Sequence, residues 1–251
     1  MKLNCDCIDV SRFADALARV ALMEKLSEGF TVYSEGSVHK AIKLYLEPRA
    51  EKHEVPLCGG VADIYNENGV FEVQTGSTAP LLPKLRRLLP DYKVTLVHPF
   101  PIRTAHRWLD RESGEISEPK GRGGSRSLYS VGRVLYPLRE LIGKPGFSVL
   151  ILAYECDEYR VLDGWDKSRR RGATLLGKIP TRLVGELRLT DIEEYKALLP
   201  ETLGDTFTAK DYMRAIKSRS RYDAVNLKLL SELGIISLAG KQGRAFLYKR
   251  V

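Results

Sequence analysis

Hydrophobic positions along the chain follow two rhythms. From Ser11 to Ser27, the residues Phe13, Leu17, Val20, Ala21 and Leu22 form a broad stripe at helical spacing, which predicts a helix packed on a core. Ser34 to Leu46 repeats that spacing with Val38, Ala41, Ile42 and Tyr45, and Ser34 stands where a cap is expected. The rhythm then changes. Apolar runs at 57–65 and 70–75 flank Asn66-Glu67-Asn68-Gly69, an Asn/Gly turn signal that predicts a hairpin. Thr78 to Leu89 returns to helix, with a Leu stripe and a Lys84/Arg86/Arg87 face, and Tyr92 to His98 predicts a strand closed by Pro99. Beyond Pro101, Thr104 to Trp108 suggests a strand, and 110–124 is polar and Gly-rich and reads as an exposed loop with Lys120, Arg122 and Arg126 close by. Leu128 to Leu141 is helical in pattern, and Phe147 to Tyr154 is a continuous apolar strand.

The last sixty residues have their own pattern. Thr190 to Leu199 predicts a short amphipathic helix ending at Pro200, and 202–207 a connection. Thr208 followed by Asp211 is a capping signature for a helix to about Ile216. A second helix is expected from Arg221 to Leu233, with Val225, Leu229 and Leu230 inward and Gly234 ending it. Ile235 to Leu238 and Ala245 to Lys249, joined through Gly240-Lys241-Gln242-Gly243, predict a hairpin. Two helices and a basic-tipped hairpin resemble a winged helix, so 190–251 is expected to be a small DNA-binding domain after a larger one at 1–189.

Charge sharpens that expectation. The chain has 251 residues and a net charge of +8, with a pI near 9.3, which suits an anionic partner. Residues 202–251 carry ten basic against four acidic side chains, so +6 of the total lies in the last fifth. Four cysteines do not make a disulfide framework at this size, and Cys5-x-Cys7 lacks a second pair to complete a zinc site. They read as reduced thiols. No apolar run is long enough to span a membrane, and no secretory signal is evident. A cytoplasmic protein without a membrane partner is expected.

Candidate chemistry gathers on the first helix-and-hairpin unit. Glu35 and His39 stand four apart on one helix face, with Lys43 one turn further. An antiparallel turn at 66–69 sets Asp63 beside Glu72, and alternation puts Gln74 on the Glu72 face. Two carboxylates that close repel unless a cation lies between them or one takes a proton. Mg²⁺, or Mn²⁺, suits such an oxygen site and keeps waters for chemistry.

Helix with Glu, strand, strand with Asp, strand with Glu-x-Gln, helix, strand: this order, from about Ser34 to His98, is similar to the common core of the PD-(D/E)XK nuclease superfamily. The wider chain resembles a group of bacterial nuclease-like proteins that pair this core with a C-terminal winged helix. The resemblance implies an α/β fold, a restriction-endonuclease-like αβββαβ core with a mixed sheet. It makes Glu35, Asp63 and Glu72 the metal candidates. Gln74 departs from the pattern, standing where the superfamily usually has Lys. A glutamine orients water through hydrogen bonds but brings no charge to the transition state. His39 or Lys43 is the expected substitute donor.

Double-stranded DNA is the expected partner, and a homo-oligomer is left open. On a winged helix, Arg219, Arg221, Asp223 and Asn226 become candidate base readers, with Lys241 and Arg244 on the wing meeting the backbone. Arg169, Arg170 and Arg171 beside Trp165 either grip phosphates or form a solvated basic turn. Two functions follow from this reading: a Mg²⁺-dependent DNA nuclease, or a catalytically inactive nuclease-like DNA-binding or regulatory protein.

Overall fold

A computed structural model describes residues 1–26, 35–110, 113–118, 124–161, 174–218 and 220–251. Helix α1 (Val10–Leu26) precedes α2 (Glu35–Leu46), and strands β1 (His53–Leu57), β2 (Gly60–Asn66) and β3 (Gly69–Val73) follow. A 3₁₀ turn leads into α3 (Leu82–Leu88), and then come β4 (Val94–Leu109) and the two-residue β5 (Gly124–Ser125). Short helical turns fill 128–138, with α4 at Gly132–Leu135. The first part closes with β6 (Phe147–Val161) and β7 (Thr174–Leu189).

Among the described residues these strands make one mixed sheet in the order β1-β2-β3-β4-β6-β7, with β5 added to β4. β3, β4 and β6 run parallel, while β1/β2, β2/β3 and β6/β7 are antiparallel. The protein is therefore α/β with a mixed sheet.

Period-two alternation divides the sheet between two cores. Val97, Leu150 and Leu152 face α1 and α2, meeting Phe13, Val20, Ile42 and Tyr45. Val94, Leu96, Val149 and Ile151 face the other way, onto Leu85 and Leu88 of α3 and Val131, Leu135 and Leu138. Asp63 and Glu72 lie on strands of this sheet, and Glu35, His39 and Lys43 on the helix α2 packed against it.

Three local devices place the hairpin. Gly69 has φ +113°, and a Cβ there would lie 2.5 Å from the Lys93 carbonyl, so the turn into β3 needs glycine. Glu47, just past α2, accepts from Arg49 Nε and Nη2, both at 2.8 Å, and from Asn66 Nδ2 at 3.0 Å. Those bonds tie the end of α2 to the tip of the β2/β3 hairpin and hold the Glu47 carboxyl down at about 2. Arg49 also holds Glu67 in the turn itself.

The structure corrects one strand boundary. β4 does not close at Pro99; it continues through Pro101 to Leu109, paired with β6 almost throughout. The Val97 carbonyl accepts from Gln74 N on the β3 side, and alternation puts Pro99 and Pro101 on that same edge, past the end of β3. Their missing donors cost the ladder nothing there.

After a 3₁₀ segment at Ile192–Leu198 a second sheet begins. β8 (Thr206–Thr208), α5 (Ala209–Ala215), a helical turn at Arg221–Ala224, α6 (Val225–Glu232), β9 (Ile236–Gln242) and β10 (Ala245–Arg250) follow, and the sheet order is β8-β10-β9. The capping pair holds as expected, with Thr208 Oγ1 accepting from Asp211 N and Asp211 accepting from Thr208 N. Leu227, Leu229 and Leu230 of α6 join the same apolar core as Val131, Leu135 and Leu138, so the two sheets share one interior.

Asn226 corrects a second expectation. It is fully buried, donating to the Tyr129 carbonyl at 2.8 Å and to the Tyr212 hydroxyl at 2.6 Å, and it cannot read a DNA groove. Asp223 is likewise buried, held by Arg133 at 2.8 Å. The N-terminal part of α6 is a docking face onto 128–139, extended by Arg139 to Glu232 at 2.7 Å.

Two outcomes are expected from these contacts. A Cβ on Gly132 would fall 1.4 Å from Asn226 Oδ1, and two hydrogen bonds stop Asn226 from yielding. Gly132→Ala is expected to cost about 1–3 kcal/mol, read as a Tm drop of roughly 3–10 °C by calorimetry. The Glu47 carboxyl titrates at about 2 when folded against 4.5 unfolded, so its stabilisation is complete above 4.5 and is lost as pH falls toward 2. Thermal melts of wild type and Glu47→Gln are therefore expected to differ most at neutral pH and to converge below pH 4.5; a constant gap would count against the assignment.

Candidate active site

The hairpin splays at its open end. Main-chain pairing between β2 and β3 runs from Asn66↔Gly69 to Ile64↔Phe71, and by that register Asp63 comes next, opposite Glu72. The strands no longer pair there through the backbone. Instead Asp63 Oδ2 accepts from Val73 N at 2.7 Å, so a side chain satisfies the donor that the diverging strand leaves.

His39 on α2 reaches the same oxygen, with Nε2 at 3.3 Å. A carboxylate can only accept, so Nε2 carries the proton. Burial pushes the Asp63 carboxyl up, but the bonds from His39 and Val73 outweigh it and leave Asp63 below its ordinary value.

Glu72 is the more constrained acid. It is only 1 % exposed, and Lys84 of α3 forms an ion pair with Oε2. Among the described residues Oε1 is buried and makes no hydrogen bond of ordinary geometry, although the Asp63 backbone N–H lies near enough to the carboxyl to pull it down a little. Burial raises the Glu72 carboxyl, the Lys84 ammonium pulls it back and the charge of Asp63 pushes it up again, for a net rise. A buried carboxylate short of strong donors among the described residues, next to a second carboxylate, has the oxygen chemistry that a hard divalent cation such as Mg²⁺ takes.

Gln74 follows at the end of β3. Its carbonyl accepts from His98 Nδ1 at 2.6 Å, and its side-chain amide donates to the Ser77 carbonyl at 2.9 Å. The amide is thereby oriented, and among the described residues no donor reaches its Oε1.

The other predicted residues are distributed unevenly. Lys43 is buried, and its ammonium is taken by Glu54 on β1, the strand next to Asp63. Glu35 opens α2, but its side chain lies outside the described residues, as do Arg219 and the run containing Trp165 and Arg169 to Arg171. Among the described residues no three His, Cys, Asp or Glu side chains converge on one point, so Asp63 and Glu72 stand as a pair. Arg221 is exposed and lies over the Tyr222 ring at 5.3 Å, and Lys241 and Arg244 are exposed at the β9/β10 tip.

Sequence reasoning missed Lys84 and Glu54 as members of the site. Lys84 was visible only as part of a basic helix face; its pairing needs the fold of α3 back over β3. A cavity of about 550 Å³, lined in part by Ser77, His98 and Arg126, opens beyond Gln74 and was also not foreseen.

The Lys84–Glu72 pair is directly testable. A double-mutant cycle with Lys84→Met and Glu72→Gln, measured by urea unfolding, is expected to return a coupling of about 1–3 kcal/mol. Additive effects would mean that the ion pair contributes nothing.

Comparison with other proteins gives a family but no chemistry. A protein from Treponema pallidum (strain Nichols), described only as an uncharacterized protein, is 25% identical over 218 residues, covering 86% of this chain and 85% of its own. No solved structure matches. Among the described residues no helix is long and apolar enough to cross a membrane. Residues 36–190, which hold α2, the hairpin and all of the large sheet up to β7, match one domain family across well over half of the chain, and the protein accordingly belongs to the family described as a domain of unknown function, DUF8091.

Proposed function

We propose that this protein is a divalent-metal-dependent DNA nuclease of the PD-(D/E)XK type, hydrolysing phosphodiester bonds at Asp63 and Glu72. The observation that carries the reading is the buried Glu72 carboxylate, whose Oε1 makes no ordinary hydrogen bond among the described residues, beside Asp63 at the point where β2 and β3 part. The order of α2, three antiparallel strands, α3 and a parallel β4 supports it, because that order is what the resemblance implies.

Asp63 and Glu72 would hold the cation, with Glu35 as the third candidate. When bound, a cation of this class lowers the pKa of coordinated water and stabilises charge on a phosphoryl oxygen. The residues of the chain supply the rest. Gln74, fixed by His98 and Ser77, offers Oε1 to orient the attacking water. Lys84 supplies the positive charge that Gln74 lacks, from a helix instead of from the strand. His39, bonded to Asp63, stands ready to pass a proton.

Duplex DNA remains the proposed partner, gripped through its backbone. The exposed β9/β10 tip carries Lys241 and Arg244, and the strongly basic last fifth of the chain favours phosphate contact over base reading, since the N-terminal part of α6 is docked inward. A helix-helix-hairpin module of this kind is similar to a winged helix that works by its wing.

Plasmid cleavage with Mg²⁺ or Mn²⁺, run beside calorimetric metal binding, tests the reading. Wild type is expected to bind metal and to nick DNA. Asp63→Ala is expected to lose both, and Lys84→Ala to keep metal while slowing cleavage on the order of 10²-fold. Wild-type protein that binds DNA but neither metal nor cleaves would move the assignment to a non-catalytic DNA-binding protein.

A further inference from the structure

The cavity beyond Gln74 has chemistry that the acid pair does not explain. It opens where β3 has ended, so the prolines of β4 edge it instead of a paired strand. Among the described residues three cations reach its wall: Arg126, Arg133 and Lys178. Two of them have carboxylate partners. Arg133 is held by Asp223, and Lys178 lies 3.2 Å from Glu158.

Arg126 is different. Among the described residues no carboxylate pairs with it, and its guanidinium instead lies over the Phe100 ring, 4.8 Å from the centroid. That stacking orients the fork, and among the described residues its donors meet no acceptor. Arg126 is solvent-exposed, and its partial burial together with the charge of Arg133 only lowers its pKa from the ordinary value.

The remaining wall fits the same ligand. Ser77 adds a hydroxyl at the exposed rim. His98 donates Nδ1–H to the Gln74 carbonyl, and burial holds its imidazole down at about 4, so it adds no charge at neutral pH. Tyr154 contributes an aromatic side chain to the lining. Glu158 is shared between Lys178 and Arg160, so among the described residues the lining cations outnumber the carboxylates that meet them. A volume of about 550 Å³ is far more than one inorganic anion needs and falls in the range of small-ligand sites.

We propose that this cavity is a phosphate-binding site for a nucleotide-sized ligand, with Arg126 as its principal contact and Arg133, Lys178 and Ser77 beside it. The site needs no metal, and although its wall shares His98 and Ser77 with the setting of Gln74, its binding can be read without cleavage. The phosphate comes either from a free nucleotide or from the end of a nucleic-acid strand.

Calorimetric titration in EDTA, with adenosine 5′-monophosphate and adenosine as probes, tests the site without any cleavable phosphodiester. The monophosphate is expected to bind at least about tenfold more tightly than the nucleoside. Arg126→Ala is expected to remove that preference and Arg126→Lys to restore part of it. Ser77→Glu, at an exposed position that does not burden folding, is expected to lower monophosphate affinity by about tenfold through charge repulsion. A 5′-phosphorylated oligonucleotide compared with its 5′-hydroxyl twin then identifies the source: preference for the phosphorylated strand marks a strand end, and equal binding alongside monophosphate binding marks a free nucleotide. Absence of monophosphate binding, equal affinity for monophosphate and nucleoside, or unchanged binding in both folded Arg126→Ala and Ser77→Glu would overturn the proposal.

Discussion

A carboxylate buried without a full set of donors is the constraint around which this molecule is arranged. Taking an anion such as Glu72 out of water costs several kcal/mol, on the order of a large part of a domain's net stability. The fold offsets that cost with the Lys84 ammonium on one oxygen, while among the described residues the other oxygen makes no ordinary hydrogen bond. Asp63 adds a second negative charge on the neighbouring strand. A sequence selected for stability alone would place an apolar residue at 72, like its strand neighbours Val70, Phe71 and Val73. Glutamate stands there instead, with α3 folded back to meet it, and the proposed cation site rests on that placement.

The splay of β2 from β3 makes this arrangement feasible. Where two strands part, backbone donors on the facing edges lose their partners, and each needs another acceptor. Asp63 supplies one to Val73, so the same carboxylate that shapes the site also stabilises the divergence. On the other edge β3 stays bound to β4 as far as Gln74. The open wedge and the cavity beyond it are consequences of β3 ending early while β4 continues to Leu109.

The C-terminal module is part of the same body. Its core is continuous with the apolar face of the large sheet, and a polar lock formed by Asn226, Tyr212, Tyr129, Arg133 and Asp223 seals the junction. Buried polar networks of this kind fix one register of docking, because any other leaves their members without partners. Arg133 belongs both to this lock and to the cavity wall, so the module's position and the shape of the cavity depend on one side chain.

Local patterns in the sequence determined the elements: the helices at 10–26 and 35–46, the hairpin about 66–69, the Thr208–Asp211 cap and the Gly234 stop are written in spacing, turn residues and capping pairs. They also determined that Asp63 and Glu72 would meet, because a two-residue turn dictates cross-strand register. Tertiary structure alone decided what each charged residue does next. Lys84 and Lys43 look alike in the sequence, but the packing of α3 against β3 sends one to Glu72 and the approach of β1 gives the other to Glu54. Asn226 sits at an expected reading position, and only the docking of α6 shows it sealed in the interior. Pro99 reads locally as a strand end, and only the early end of β3 leaves its missing donor harmless. Short-range geometry is set by neighbours along the chain, whereas burial, ion pairing and edge exposure depend on segments dozens of residues away, which no local pattern encodes.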